Sequence, residues 1–322
     1  QMPALKRNGI RLRPRLNLRD PALRETLSIG APTVLVMLCS FAVVSVQTAA
    51  SYSFSESGPS VLAYARLWFT LPYAFLAVPI TTTMFTELAE MQAEGNTQGV
   101  KRGIVSGTNQ ILFFMIPFAL YLMVFALPLV TLYHAGAFTM ESVGAIASYL
   151  AVLAVALPFY GVNTYLQKVY SSVRKMGVFA GFNFVAGGVQ IGLTMLAASG
   201  VGDLPFEAIA AAEAAFYVVA DVCLFAYLRR HLGAFGLRST LRALACSLAL
   251  GGLGATAGAG VLFALQTWAA PLSGSIPQAL AYVAAGGLVS LFVTFGLALK
   301  LRVPEAAFLA NIAEKVKGKV GR

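Results

Sequence analysis

Residues 60–88 read SVLAYARLWFTLPYAFLAVPITTTMFTEL. The stretch is long and apolar enough to cross a bilayer, which takes roughly twenty residues of helix. It nevertheless carries Arg66 near its start and two interior prolines, Pro72 and Pro79. A charge inside a span costs a few kcal/mol or more, so it is rare there and is usually functional. The rest of the chain reads as a scaffold holding this helix beside a polar path through a membrane.

The composition supports that reading. Of 322 residues, 58% are hydrophobic and 11% charged, with a mean hydropathy of +0.76. A soluble domain carries about 25% charged residues. Apolar runs fall at about 27–52, 60–86, 104–132, 143–167, 178–198, 207–228, 240–268 and 277–299. They lack the alternation of a membrane β-barrel. The expected fold is an all-α polytopic membrane protein of about eight spans. Cys39, Cys223 and Cys246 lie within apolar runs, with no disulfide or metal spacing, and read as small buried hydrophobes.

The positive charge is distributed by topology. Twenty-two of the 23 Lys and Arg residues lie in the segment 1–24, in the loops after spans two, four and six, or from Lys300 onward. The alternate loops, near 53–59, 133–142, 199–206 and 269–276, hold none. The positive-inside rule then places both termini in the cytoplasm and makes the span number even. Segment 1–24 is a basic arm that ends at a capping Asp20 and a first-turn Pro21. Segment 301–322 alternates apolar and charged residues as an amphipathic tail on the cytoplasmic surface. The net charge of +10 is accounted for by orientation and anionic lipid, with no nucleic-acid partner.

Arg66 is the one basic residue left over. It sits about six residues, or roughly 9 Å, below the outer end of its helix. Either it snorkels to the interface or it faces a wet cavity and binds an anion, for which its planar fork is suited. Tyr64 and Trp68 flank it. Glu213, Tyr217 and Asp221 recur at intervals of four on span six. The two carboxyls either hold a cation or proton or are neutral and bonded to other helices. Gln47, Asn163, Asn183 and Gln190 are further polar residues in or near the spans. Pro72, Pro79, Pro117 and Pro158 are candidate kinks that would let a cavity open and close. Gly254 and Gly258 form a GxxxG face. No phosphate-binding GxxxxGK[ST] loop, nucleophile–base set or metal motif is present, so a transporter is expected rather than an enzyme.

Several motifs resemble one family. They are the arm through Arg13-Pro14 and Arg19-Asp20-Pro21, Ala63-Tyr64-Ala65-Arg66-Leu67 with Leu71-Pro72, Gly136-Ala137-Phe138-Thr139, and Leu228-Arg229-Arg230. In order and spacing they are similar to the MurJ (MviN) lipid II flippases of the multidrug/oligosaccharidyl-lipid/polysaccharide exporter superfamily. The resemblance implies a lobe of six helices over 25–232 and a final helix pair over 233–300, which would line a groove for a lipid tail. It implies alternating access and a lipid-linked diphosphate substrate carried from the inner to the outer leaflet of the bacterial plasma membrane. It also implies a first lobe, within the same gene or in a partner chain, and an anion-binding role for Arg66, with Tyr64, Gln47, Gln190, Glu213 and Asp221 as candidate polar neighbours. Where relatives carry Asp-Arg this chain has Gln47-Thr48, and an Asn and a following Asp appear as Gln190 and Thr194. No cofactor or metal is expected; sodium or proton coupling is left open but is not supported by the residues present. Two further readings stand beside this one: another superfamily exporter, for polysaccharide-lipid or drugs, and a non-transporting membrane scaffold of cell-wall assembly.

Overall fold

The computed structural model describes residues 21–134 and 138–306. The basic arm with Asp20, the Gly136-Ala137 pair and the tail from 307 lie outside the described residues. Among the described residues, eight helices are long and apolar enough to span a membrane. They are α1 (Pro21–Ser51), α2 (Gly58–Ala93), α3 (Thr97–Thr131), α4 (Met140–Ser172), α5 (Met176–Ala198), α6 (Ala208–Leu232), α7 (Leu237–Ala269) and α8 (Ile276–Lys300). The expected spans are all found, extended by a few residues of polar helix at several ends.

Local chemistry sets the boundaries. Asn96 caps α3 by accepting from the Gly99 amide at 2.8 Å. Thr139 caps α4 by accepting from the Ser142 amide, with Glu141 in the first turn. Gly58 lets α2 start hard against α1, since a Cβ there would lie 2.3 Å from the Ser51 carbonyl oxygen.

Three of the four candidate kink prolines sit at irregular turns. Pro72 and Pro79 bracket a π turn, Tyr73–Ala77, inside α2. Each proline lacks the amide that would bond four residues back, and the backbone between them widens. Pro158 follows a 3₁₀ turn, Ala154–Ala156, in α4. Pro117 differs: α3 runs through it without a 3₁₀ or π turn, and the residue serves instead as a seat for Gly251.

The helices pack in two groups. α1, α5 and α6 lie together on one side and α3, α7 and α8 on the other, with α2 and α4 between them. The second group is held by close approach. A Cβ on Gly258 would meet Ser290 Oγ at 2.0 Å, Phe125 at 2.8 Å and the Gly286 carbonyl at 2.9 Å. The adjacent Tyr121 hydroxyl of α3 donates to the Ser290 carbonyl of α8, and Thr294 of α8 donates to the Leu250 carbonyl of α7. Small residues and interhelical hydrogen bonds therefore replace the hydrophobic drive that lipid does not supply.

Gly258→Ala should accordingly lower the thermal midpoint in detergent, at a cost of about 1–3 kcal/mol for overpacking. Gly260→Ala, where nothing lies within 4 Å, should hold or raise it through helix propensity. Equal midpoints for the two variants would remove the close-packing account.

Candidate functional site

Arg66 does not snorkel free. Both of its terminal nitrogens engage the Glu213 carboxylate, Nη1 on Oε1 and Nη2 on Oε2 at 2.6 Å. The fork matches the carboxylate bidentately. Gln47 Nε2 of α1 approaches the same carboxylate at 3.4 Å, and the guanidinium carbon lies 5.5 Å from the Phe69 ring centre. Glu213 is buried, whereas the Arg66 side chain keeps 35% of its surface open. The pair therefore has a buried anionic half and an accessible cationic half.

The opening leads into a cavity of about 420 Å³ between α1, α2, α5 and α6, with Tyr160 of α4 at its edge. Gln190 of α5 and Tyr217 of α6 line it, as does Asn183, whose amide donates to the Phe179 carbonyl of its own helix. Thr194 Oγ1, one turn beyond Gln190, is buried without a hydrogen-bond partner.

The structure separates residues that the sequence grouped. Gln47, Gln190, Glu213 and Arg66 share the cavity. Asp221 does not: it accepts from Asn163 Nδ2 at 3.0 Å and lines a second cavity on the other side of α6. Tyr64 is also elsewhere, packed on Tyr133 and Phe138 with ring centres 5.2 and 4.8 Å away. Phe69 and Tyr160 were not among the sequence candidates for the site; aromatic residues in an apolar helix carry no signal of which face they occupy. No group of three or more His, Cys, Asp or Glu residues able to hold a metal occurs among the described residues.

The fold and site define a multi-pass helical membrane protein with an ion pair lodged at the wall of a half-open cavity. Residues 1–276 match the family model described as lipid II flippase MurJ, and the chain belongs to that family. A "Probable lipid II flippase MurJ" of Borreliella burgdorferi is 27% identical over 116 residues, 36% of this chain and 23% of that protein. A "Lipid II flippase MurJ" of Thermosipho africanus is 25% identical over 114 residues, 35% of this chain and 23% of that protein. A solved structure described as lipid II flippase MurJ in an inward closed conformation aligns with a TM-score of 0.57 at 20% identity. That alignment covers 87% of this chain and 53% of the other, so the chain spans about half the length of the structure it matches.

Removing one partner of the ion pair should leave the other uncompensated. Arg66→Ala and Glu213→Ala are expected to destabilise separately, and the double variant by less than their sum. The double-mutant cycle, read by denaturation in detergent, should give a coupling of about 1–3 kcal/mol. A coupling near zero would mean that the pair carries no net interaction.

Proposed function

We propose that this chain forms the second lobe of a flippase that carries a lipid-linked diphosphate, the peptidoglycan precursor, from the inner to the outer leaflet of the bacterial plasma membrane. The observation that carries the reading is the half-open ion pair: Arg66 is held by buried Glu213 yet faces a cavity. A phosphate presents the same pair of oxygens to the guanidinium as the carboxylate does. In this mechanism Glu213 stores Arg66 in a defined pose when no substrate is bound. The diphosphate then competes for it, and release of the headgroup is assisted by return of Arg66 to Glu213.

The opposite wall is contributed by a first lobe, in the same polypeptide or in a partner chain, and the two lobes rock about the site. The prolines around the π turn of α2 and the 3₁₀ turn of α4 supply the bending. In this reading both termini of this segment lie in the cytoplasm, the side that the loop charges favour. No bound metal ion is needed to neutralise Glu213, because Arg66 does so. The chain performs transport and no bond chemistry.

The test is complementation of a flippase-depleted bacterium by the complete gene. Arg66→Ala should abolish growth and raise lipid II on the inner leaflet, and Arg66→Lys should restore only part of the activity. Glu213→Gln should tighten diphosphate binding about tenfold, a change of ~1.4 kcal/mol, and slow turnover. Undiminished growth of Arg66→Ala at normal expression would overturn the anion-binding role. Growth defects without lipid II accumulation would favour a scaffold of wall assembly.

A further inference from the structure

The second cavity, about 630 Å³, lies between α3, α4, α6 and α7. Its walls are mostly apolar, with Leu112, Phe159, Val218 and Leu244 among them. Arg229 and Arg230 mark the end nearer the basic loops. Asp221 lines the same space, eight residues before Arg229, which is about 12 Å along a helix.

Three residues that line this cavity each carry a buried polar atom without a hydrogen-bond partner: Asp221 Oδ2, Thr108 Oγ1 and Arg229 Nη1. Asp221 is only 5% exposed, and its single hydrogen bond is the one from Asn163 to Oδ1. Glu213, two turns away on the same helix, has a guanidinium; Asp221 has none. An uncompensated carboxylate in such a place is costly, and an orphaned carboxylate oxygen more so than a neutral one. A proton removes the charge and supplies the missing donor at once.

We propose that Asp221 is a proton-binding site, loaded and emptied through this cavity from the side of the membrane that holds the basic loops. The proton comes from cavity water and returns to it, and no other bond changes. Protonated, Asp221 carries the proton on Oδ2 while Oδ1 keeps Asn163; ionised, it keeps the bond from Asn163 alone. The charged groups that line the same cavity are on its own helix, Arg229 and Arg230 two turns inward; Tyr217, one turn outward, lines the first cavity. α3, α4 and α7 offer it Thr108, Asn163 and Thr240 among apolar side chains, and α5 contributes nothing to the lining. A metal ion is a poor occupant. Oxygen-bound cations take about six ligands, and the side chains lining the cavity offer oxygens only from Asp221, Thr108 and Thr240, beside two guanidinium groups. The site stands apart from the headgroup reading, since Asp221 and Arg66 line separate cavities.

The test is infrared difference spectroscopy of the full-length protein in lipid vesicles, acid against alkaline. Asp221→Asn should remove one carboxylic C=O band from the set that appears on acidification. Asn163→Ala should keep that band and shift its frequency, because the group loses its donor; Glu213→Gln should leave it in place. A band set unchanged by Asp221→Asn overturns the proposal. So does an unshifted set in Asn163→Ala, which also serves if Asp221→Asn fails to fold. Loss of the band on adding sodium at constant pH would assign the site to a metal cation instead.

Discussion

Pairing of Arg66 with Glu213 is the constraint around which one half of the molecule is arranged. Neither charge is tolerable alone at that depth, so α2 and α6 must approach until fork and carboxylate meet. Gln47 brings α1 to the same carboxylate. α5 then follows α1, with Gly187 set so closely that a Cβ would lie 2.7 Å from Cys39 Sγ. The cavity is what remains between helices whose positions are fixed by polar contacts rather than by filling space.

The other half is built on the opposite principle. α7 and α8 approach α3 through glycine, serine and threonine, and their hydroxyls are consumed within that contact. No charged side chain takes part in that contact. Side-chain chemistry thus divides the chain into a clamped scaffold around α3, α7 and α8 and a polar, partly open group around α1, α2, α5 and α6. α4 adapts between them through its 3₁₀ turn.

Fold class and spans were legible because each span is a continuous apolar run with charges confined to its ends. The anomaly of Arg66 was equally legible. Its partner was not, since positions 66 and 213 are joined only by tertiary packing. The four-residue spacing of Glu213, Tyr217 and Asp221 puts the two carboxyls on neighbouring turns and leaves open whether they share a site. In an α-helix of 3.6 residues per turn, however, i and i+8 diverge by about 80°. That rotation is enough to turn Glu213 toward α1 and α2 and Asp221 toward α3 and α4. The prolines divide similarly. Pro72, Pro79 and Pro158 act through the backbone, which sequence predicts. Pro117 acts through its surface against Gly251, which only packing reveals.

α6 is therefore a partition with a carboxyl on each side. Glu213 has a cation of the chain's own and stands beside a cavity edged by Gln47, Gln190 and Arg66. Asp221 has an amide, an orphaned oxygen and a largely apolar cavity. On the proposed mechanism, a shift of α6 that released Arg66 would also move Asp221 against Asn163. Tyr217 occupies the turn between them and lines the first cavity, so the two acids sit in separate spaces on one rigid helix.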